Sequence, residues 1–250
     1  MEVRTDGRVA SPLMKATILT LGGGGFSMSD DNGSLIDGFL LGLVGKERPR
    51  ICFVPTASGD DDGYCNQFME AFGDRAEATV LSLFSHDPWG WTDPEMLLDQ
   101  DIIYVGGGST ANLLAVWHIH GLPEILGRAA ANGAVLAGIS AGMNCWFEGS
   151  STDSFGSLDA LPDGLAFLPG SACPHYFGEE GRQQKYRDFV ASGALPEGHA
   201  ADDHVALLWR DGELVEAVCE EPGRQAFRVT RRGNIAVETP LPVRYLGEDN

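Results

Sequence analysis

Basic residues are scarce in this sequence of 250 residues. Seventeen lysines and arginines are outnumbered by 36 aspartates and glutamates, which gives a formal net charge of −19 at pH 7. The pI is about 4.5. A surface this acidic repels phosphate groups, so binding to nucleic acid or to an anionic membrane through surface charge is unfavourable. We assign the acidity to solubility.

Long apolar runs are also missing. No segment reaches the ~18 consecutive apolar residues of a membrane-spanning helix, and the first residues contain no apolar core of an export signal. The five cysteines form neither a C-x-x-C pair nor a metal-ligand spacing. These features predict a cytoplasmic protein with buried, reduced thiols. We expect a flexible leader over residues 1–14 and a single α/β domain over residues 15–250.

Complete nucleotide-binding motifs are absent as well. The glycine tract 22–25 is not followed by the Gly-Lys-Ser/Thr of a P-loop. Gly106, Gly108 and Ala111 form a relaxed dinucleotide fingerprint, but it follows a late strand, and Glu124, the acidic residue at about the right distance, lies in a helical pattern. Dinucleotide binding is therefore disfavoured, and we expect no cofactor. The acidic groups 60–62 and 202–203 we assign to loop solvation or helix capping and not to a metal.

Strand-like apolar runs alternate with helical patterns over the first 140 residues. The predicted strands are 16–21, 50–54, 78–84, 101–105 and 135–139, and the predicted helices are 32–44, 64–72, 110–118 and 122–132. Such alternation indicates βαβ units, in which the strands are parallel and reactive groups gather at their carboxyl ends. The predicted fold class is α/β, with a mainly parallel sheet flanked by helices.

Beyond about residue 200 the pattern changes to short strands separated by turn signals. The predicted strands are 205–209, 214–219, 226–229 and 235–237, and the turns are Asp211-Gly212, Pro222-Gly223 and Gly233-Asn234. We interpret these segments as antiparallel β-hairpins added to the same sheet, not as a second domain.

The most informative motif is Gly138-Ile-Ser140-Ala-Gly142. It directly follows the predicted strand 135–139 and precedes a helix-compatible segment, 143–147. Strand, sharp turn and helix are the context that a G-x-S-x-G nucleophile elbow requires. Ser140 is therefore the candidate nucleophile, and the competing interpretation is a tight turn in which Ser140 caps the helix.

A nucleophilic serine needs a base, and His175 is the favoured histidine. It follows Pro174, which restrains the backbone, and comes after the apolar run 165–168. A buried structural histidine is the competing interpretation. The remaining histidines are interpreted as structural or solvent-exposed: His86, His118, His120, His199 and His204.

A carboxylate that orients the imidazole would complete such a site. Asp153 is the leading candidate, and the sequence leaves further acidic residues open: Glu148, Glu179 and Glu180. The oxyanion formed during acyl transfer needs N–H donors. We expect the amide of Gly107 or Gly108, paired with the amide of Ala141, to supply them.

Taken together, these residues resemble the peptidase E (aspartyl dipeptidase) family of serine peptidases, which is related to cyanophycinase and has a fold similar to class I glutamine amidotransferases. The resemblance covers nearly all of residues 15–220. It rests on motifs in a fixed order: Gly106-Gly-Gly-Ser-Thr-Ala-Asn-Leu113, Gly138-Ile-Ser-Ala-Gly142, Ser151-Thr-Asp153 and Pro174-His-Tyr176, with Leu21-Gly-Gly-Gly-Gly-Phe26 and Pro55-Thr-Ala-Ser58 in addition.

The resemblance implies a triad of Ser140, His175 and Asp153, although some relatives use a glutamate as the third member. It also implies that Arg182 holds the side chain of a substrate with N-terminal aspartate, as a guanidinium can do with two parallel hydrogen bonds. The expected substrate is a small peptide, the expected assembly a homodimer, and no cofactor or metal is required. The alternatives are a cyanophycinase-like hydrolase of β-Asp-Arg peptides, a catalytically silent small-molecule binding protein and, third, a nucleotide-binding oxidoreductase.

Overall fold

The computed structural model describes residues 15–29, 33–85 and 90–249. The predicted leader, 1–14, and His86 lie outside these ranges. The strands are β1 (Thr17–Leu21), β2 (Arg50–Val54), β3 (Glu77–Val80), β4 (Ile102–Val105), β5 (Val135–Ile139), β6 (Phe147–Phe155), β7 (Ser157–Leu161), β8 (Leu168–Cys173), β9 (Gly198–Ala201), β10 (Val205–Arg210), β11 (Glu213–Cys219), β12 (Ala226–Arg232), β13 (Ile235–Pro240) and β14 (Val243–Tyr245). The helices are α1 (Leu35–Gly42), α2 (Asp62–Phe72), α3 (Thr110–His120), α4 (Leu122–Ala131), α5 (Ala141–Asn144) and α6 (Arg182–Ser192).

The main sheet has eight strands in the order β14-β11-β10-β1-β5-β4-β2-β3. In the run β1-β5-β4-β2-β3 every pair of neighbouring strands is parallel. By contrast, β10 is antiparallel to β1 and β11 is antiparallel to β10. The predicted α/β fold with a mainly parallel sheet is therefore confirmed. Because β4 and β5 are parallel neighbours, the segments that follow them meet at one edge of the sheet.

Apolar side chains alternate between the two faces of this sheet, as the period of two in a strand requires. On β5, Leu136 packs with Leu113 and Trp117 of α3. Val135 and Ala137 belong to the opposite cluster, whose helical members include Ile36 and Leu40 of α1 and Phe68 and Phe72 of α2. Helices therefore cover both faces, and the sheet that carries the candidate site is buried.

Two predicted elements have different ends in the structure. The strand predicted over 78–84 stops at Val80, because the Asp60 carboxylate accepts hydrogen bonds from Ser82 Oγ and from the amides of Leu83 and Phe84. The helix-compatible segment 143–147 is also wrong in extent. Helix α5 ends at Asn144 and β6 begins at Phe147.

A second sheet of six strands lies beside the first, in the order β13-β12-β9-β8-β6-β7. The prediction that all the C-terminal hairpins extend the main sheet is therefore wrong for β12 and β13, since β12 pairs with β9. The physical reason is apolar burial. Phe227 and Val229 of β12 pack with Tyr176 and with Tyr186 and Val190 of α6, and form a third core cluster.

The five cysteines are free and buried, as predicted: Cys52, Cys65, Cys145, Cys173 and Cys219. Burial raises the pKa of Cys52 to about 12, so its thiol stays protonated at neutral pH. Over the part of the chain that the structure describes, no helix has both the length and the apolar character needed to span a bilayer.

Candidate active site

Ser140 lies between β5 and α5 in a backbone conformation that is rare for a residue with a side chain, with φ 56° and ψ −111°. The two glycines of the motif permit this turn. A Cβ on Gly138 would lie 2.2 Å from the carbonyl oxygen of Gly142, and a Cβ on Gly142 would lie 2.3 Å from that of Val105. A strained non-glycine residue of this kind is held in place by its surroundings and points to a functional position.

His175 follows β8 and also has a left-handed backbone, with φ 52°. Its amide donates to the carbonyl of Gly22, 3.2 Å away, so the glycine tract after β1 supports the histidine loop. Ser140 and His175 line the same cavity of about 570 Å³. The structure thus brings the predicted nucleophile and the predicted base to one edge of the sheet.

The imidazole of His175 is held by Asp203, because Nδ1 lies 2.6 Å from the Asp203 carboxylate oxygen Oδ1. The two side chains are only 19% and 15% exposed, which shields the bond from water. Asp203 is tightly enclosed, since a Cβ on Gly23 or on Gly178 would lie 2.1 Å or 1.9 Å from its carboxylate oxygens. This enclosure fixes the carboxylate against the ring.

The electrostatics keep Asp203 ionised at neutral pH. Burial alone would raise the pKa of its carboxyl group, but the hydrogen bond with His175 and the charges of His175, His204 and Arg224 lower it below the ordinary value of 3.8. An ionised carboxylate on Nδ1 stabilises the protonated ring and leaves Nε2 available to accept a proton.

The expectation that Asp153 orients the imidazole is corrected by this hydrogen bond to Asp203. Asp153 lies on β6, exposed, and faces a different cavity beside Ser140. The other open candidates are also placed elsewhere. Glu148 accepts the Gly170 amide, Glu179 pairs with Arg182, and Glu180 is exposed before α6.

A signal for Asp203 was nevertheless present in the sequence. Strands β8 and β9 are parallel, with Cys173 opposite Ala200, so His175 and Asp203 follow them at the same edge. Short strands of small residues such as β9 carry too weak an apolar pattern to be predicted. Without that strand, the acidic residues 202–203 looked like a solvated loop.

The predicted oxyanion donors are only partly available. The Gly107 amide donates to the Tyr64 hydroxyl over 3.2 Å, so this N–H is already engaged. Gly108 and Ala141 line a cavity of about 360 Å³ together with Ser140. Gly108 has a φ of 133°, and a Cβ there would lie 2.3 Å from the carbonyl oxygen of Ala57, so only glycine fits.

Arg182 also lines this cavity, which we call the Arg182 cavity. The residue begins α6 and is almost completely buried, with 3% of its surface exposed. Its guanidinium Nε donates to the Glu179 carboxylate over 2.8 Å, and Glu179 lines the same cavity. The predicted substrate-binding arginine thus lies beside Ser140, already paired with an acidic neighbour.

Metal-binding geometry is not found in residues 15–29, 33–85 and 90–249. No group of three or more His, Cys, Asp or Glu side chains is placed there to hold an ion.

Sequence comparison decides the family. The model of peptidase family S51 matches residues 18–217, which is most of the chain. The chain belongs to peptidase family S51. Ser140, His175, Arg182 and Asp203 all lie inside the matched range of this S51 peptidase.

Individual relatives agree with this assignment. The S51 peptidase is 46% identical over 231 residues to the uncharacterized peptidase YgaJ of Bacillus subtilis, covering 92% of this chain and 99% of that protein. It is 29% identical over 158 residues to a peptidase E of Streptomyces coelicolor, covering 59% of this chain and 63% of the relative.

Solved structures show the same fold. A peptidase from an acI-B1 Actinobacterium matches with a TM-score of 0.65 at 16% identity, covering 93% of this chain and 96% of that one. A putative peptidase E protein from Listeria monocytogenes matches with a TM-score of 0.57 at 18% identity, over 80% and 97% of the two chains. The solved structures thus share the α/β fold of this chain, and its membership of family S51 makes it a peptidase.

Proposed function

We propose that this S51 peptidase is a serine exopeptidase of small peptides in which Ser140, His175 and Asp203 form the catalytic triad. The hydrogen bond between His175 Nδ1 and Asp203, beside a strained Ser140 on the same cavity, carries the proposal. Asp203 takes the role that the family resemblance suggested for Asp153. The preferred substrates are small peptides, dipeptides among them, that begin with aspartate.

The chemistry follows from these positions. His175 Nε2 accepts the hydroxyl proton as Ser140 Oγ attacks the scissile carbonyl, and the amides of Gly108 and Ala141 donate to the oxyanion. The C–N bond then breaks, and the imidazolium gives its proton to the leaving amine. Water, deprotonated by the same imidazole, attacks the acyl-serine; the returning proton restores the Ser140 hydroxyl and releases the acid.

Specificity for aspartate rests on the Arg182 cavity. A volume of about 360 Å³ holds one small side chain next to Ser140. The carboxylate of a substrate aspartate would replace the carboxylate of Glu179, whose side chain is 47% exposed, on the buried guanidinium of Arg182.

A peptide-cleavage panel tests the proposal. Wild-type protein is expected to cleave Asp-Xaa peptides, and Ser140→Ala to reduce turnover to near background with an unchanged circular dichroism spectrum. Arg182→Ala should lose activity selectively on aspartyl substrates. Full activity of Ser140→Ala would overturn the triad, and an equal loss on neutral dipeptides would make Arg182 structural.

The second candidate is a cyanophycinase-like hydrolase of β-Asp-Arg peptides. Two acidic side chains, Asp153 and Glu179, line the cavity with Arg182, and they favour a substrate that brings a positive charge. Matched α- and β-aspartyl peptides in the same panel distinguish the two activities.

A further inference from the structure

Ser140 lies between two cavities. It lines the Arg182 cavity on one side, whereas on the other side it lines the cavity of about 570 Å³ that contains His175 and Tyr64. We call the latter the Tyr64 cavity. In the proposed mechanism the imidazole hands its proton to the departing amine, so the leaving group must lie on the imidazole side. On this basis the Tyr64 cavity receives the part of the substrate that follows the scissile bond.

The Tyr64 cavity has an apolar part beside the polar side chains of Ser27, Ser58 and Gln67. The Tyr64 ring stacks on Phe26 at 5.4 Å between centroids and meets Phe53 edge-on at 5.0 Å. Its hydroxyl is fixed by the Gly107 amide. Met28 and Ile139 add further apolar surface. This lining suits a leaving residue with an apolar side chain.

The charge of the cavity is negative. Asp61 is exposed at its rim, and none of the described residues that line it is a lysine or arginine. Asp61 is also the residue that caps α2, because its Oδ1 accepts the Tyr64 amide over 2.8 Å. A carboxylate entering here would meet the like charge of Asp61, and no lysine or arginine among the described lining residues would compensate for it.

We propose that the Tyr64 cavity is the leaving-group subsite and that Asp61 makes it select amidated or longer peptides over free dipeptides. The inference rests on the proposed function, because it uses the direction in which the amine departs. It refines that function by assigning a specificity-determining residue on the leaving side, with Arg182 acting on the acyl side.

The test compares kcat/KM for Asp-Leu and Asp-Leu-amide in the wild type, in Asp61→Asn and in Asp62→Asn. Asparagine caps a helix as well as aspartate does, so Asp61→Asn removes the charge and keeps α2. Asp62 is also exposed, lies one residue along the chain and is not part of the cavity lining, which makes it the matched control. The ratio of kcat/KM for Asp-Leu-amide to kcat/KM for Asp-Leu is compared between variants. This comparison cancels the intrinsic difference in reactivity between the two leaving amines.

The wild type is expected to favour Asp-Leu-amide by about tenfold. Asp61→Asn should raise activity on Asp-Leu severalfold and leave the amide unchanged, whereas Asp62→Asn should leave the ratio unchanged. Added salt should help the free dipeptide in the wild type and not in Asp61→Asn, because it screens the repulsion.

An unchanged ratio in Asp61→Asn, or a wild-type preference for Asp-Leu, would overturn the inference and leave the triad intact. Cleavage of both peptides by Ser140→Ala at the wild-type rate, or of neither by the wild type, would instead overturn the proposed function and this inference with it.

Discussion

At the scale of single residues, the site is defined by backbone positions that ordinary side chains avoid. Ser140 and His175 both have positive φ angles although neither is glycine. Such conformations cost of order 1–3 kcal/mol each. The hydrogen bond of His175 to Asp203 and the carbonyl of Gly22 help to hold the histidine in this conformation. The cost is consistent with a preorganised catalytic arrangement.

Asp203→Asn is expected to lower kcat by about 10⁴-fold on aspartyl peptides. The amide that replaces the carboxylate cannot stabilise the imidazolium and favours the wrong tautomer of the ring. Asp153→Asn is the matched comparison. It also removes one carboxylate next to Ser140, but that carboxylate is not the partner of His175 Nδ1. It should change kcat less than about fivefold. The reverse order of effects would restore Asp153 as the orienting residue.

The sequence suggested Ser140 and His175 as one candidate site, and the structure places both on one cavity. The family resemblance suggested Arg182, which lines the other cavity beside Ser140. The sequence did not indicate the carboxylate that hydrogen-bonds His175, because Asp203 can be placed beside His175 only when β9 is known to lie parallel to β8. It also could not show that the Gly107 amide is engaged by Tyr64, because that contact joins residues on two separate elements.

At the scale of elements, the elbow depends on the close approach of α5 to β4. Gly142 is the point of contact, with no room for a Cβ beside the Val105 carbonyl. The elements with strong apolar periodicity, β1 to β5 with α1 to α4, could be predicted from sequence. In the second sheet only the hairpin of β12 and β13 could be predicted, because strands such as β6 mix serine, threonine and aspartate with few apolar residues.

Gly142→Ala is expected to destabilise the protein by more than about 2 kcal/mol, because the new methyl group must displace backbone. Gly127→Ala is the control, since Gly127 lies inside α4 with nothing within 4 Å of its would-be Cβ. That change should stabilise by about 0.5–1 kcal/mol through helix propensity. Urea unfolding of both variants measures the difference. Equal effects would mean that the elbow tolerates a side chain at 142.

At the scale of the whole molecule, stability should depend on pH through one buried acid. Asp37 of α1 is completely buried, and this burial, with the charge of Glu220, raises its pKa from 3.8 to about 7. Between those values the unfolded chain releases the proton and the folded chain keeps it. Rising pH therefore favours unfolding over this window, and the loss of stability is complete above about 7.

Asp37→Asn should remove this dependence. The unfolding free energy of Asp37→Asn minus that of the wild type should increase by up to about 3 kcal/mol between about pH 5 and about pH 8. The exposed Asp62→Asn should change by less than about 0.5 kcal/mol over the same range. Urea titrations at the two pH values provide the comparison, and a constant difference for Asp37→Asn would show that Asp37 ionises normally in the folded protein.

Active-site labelling tests the central claim most directly. A fluorophosphonate reacts with a serine whose hydroxyl is activated by a neighbouring base. The account predicts a single adduct that peptide mass spectrometry maps to Ser140, no adduct in Ser140→Ala, and labelling at least about 100-fold slower in His175→Ala. An adduct on another residue, or a rate unaffected by the loss of His175, would contradict it.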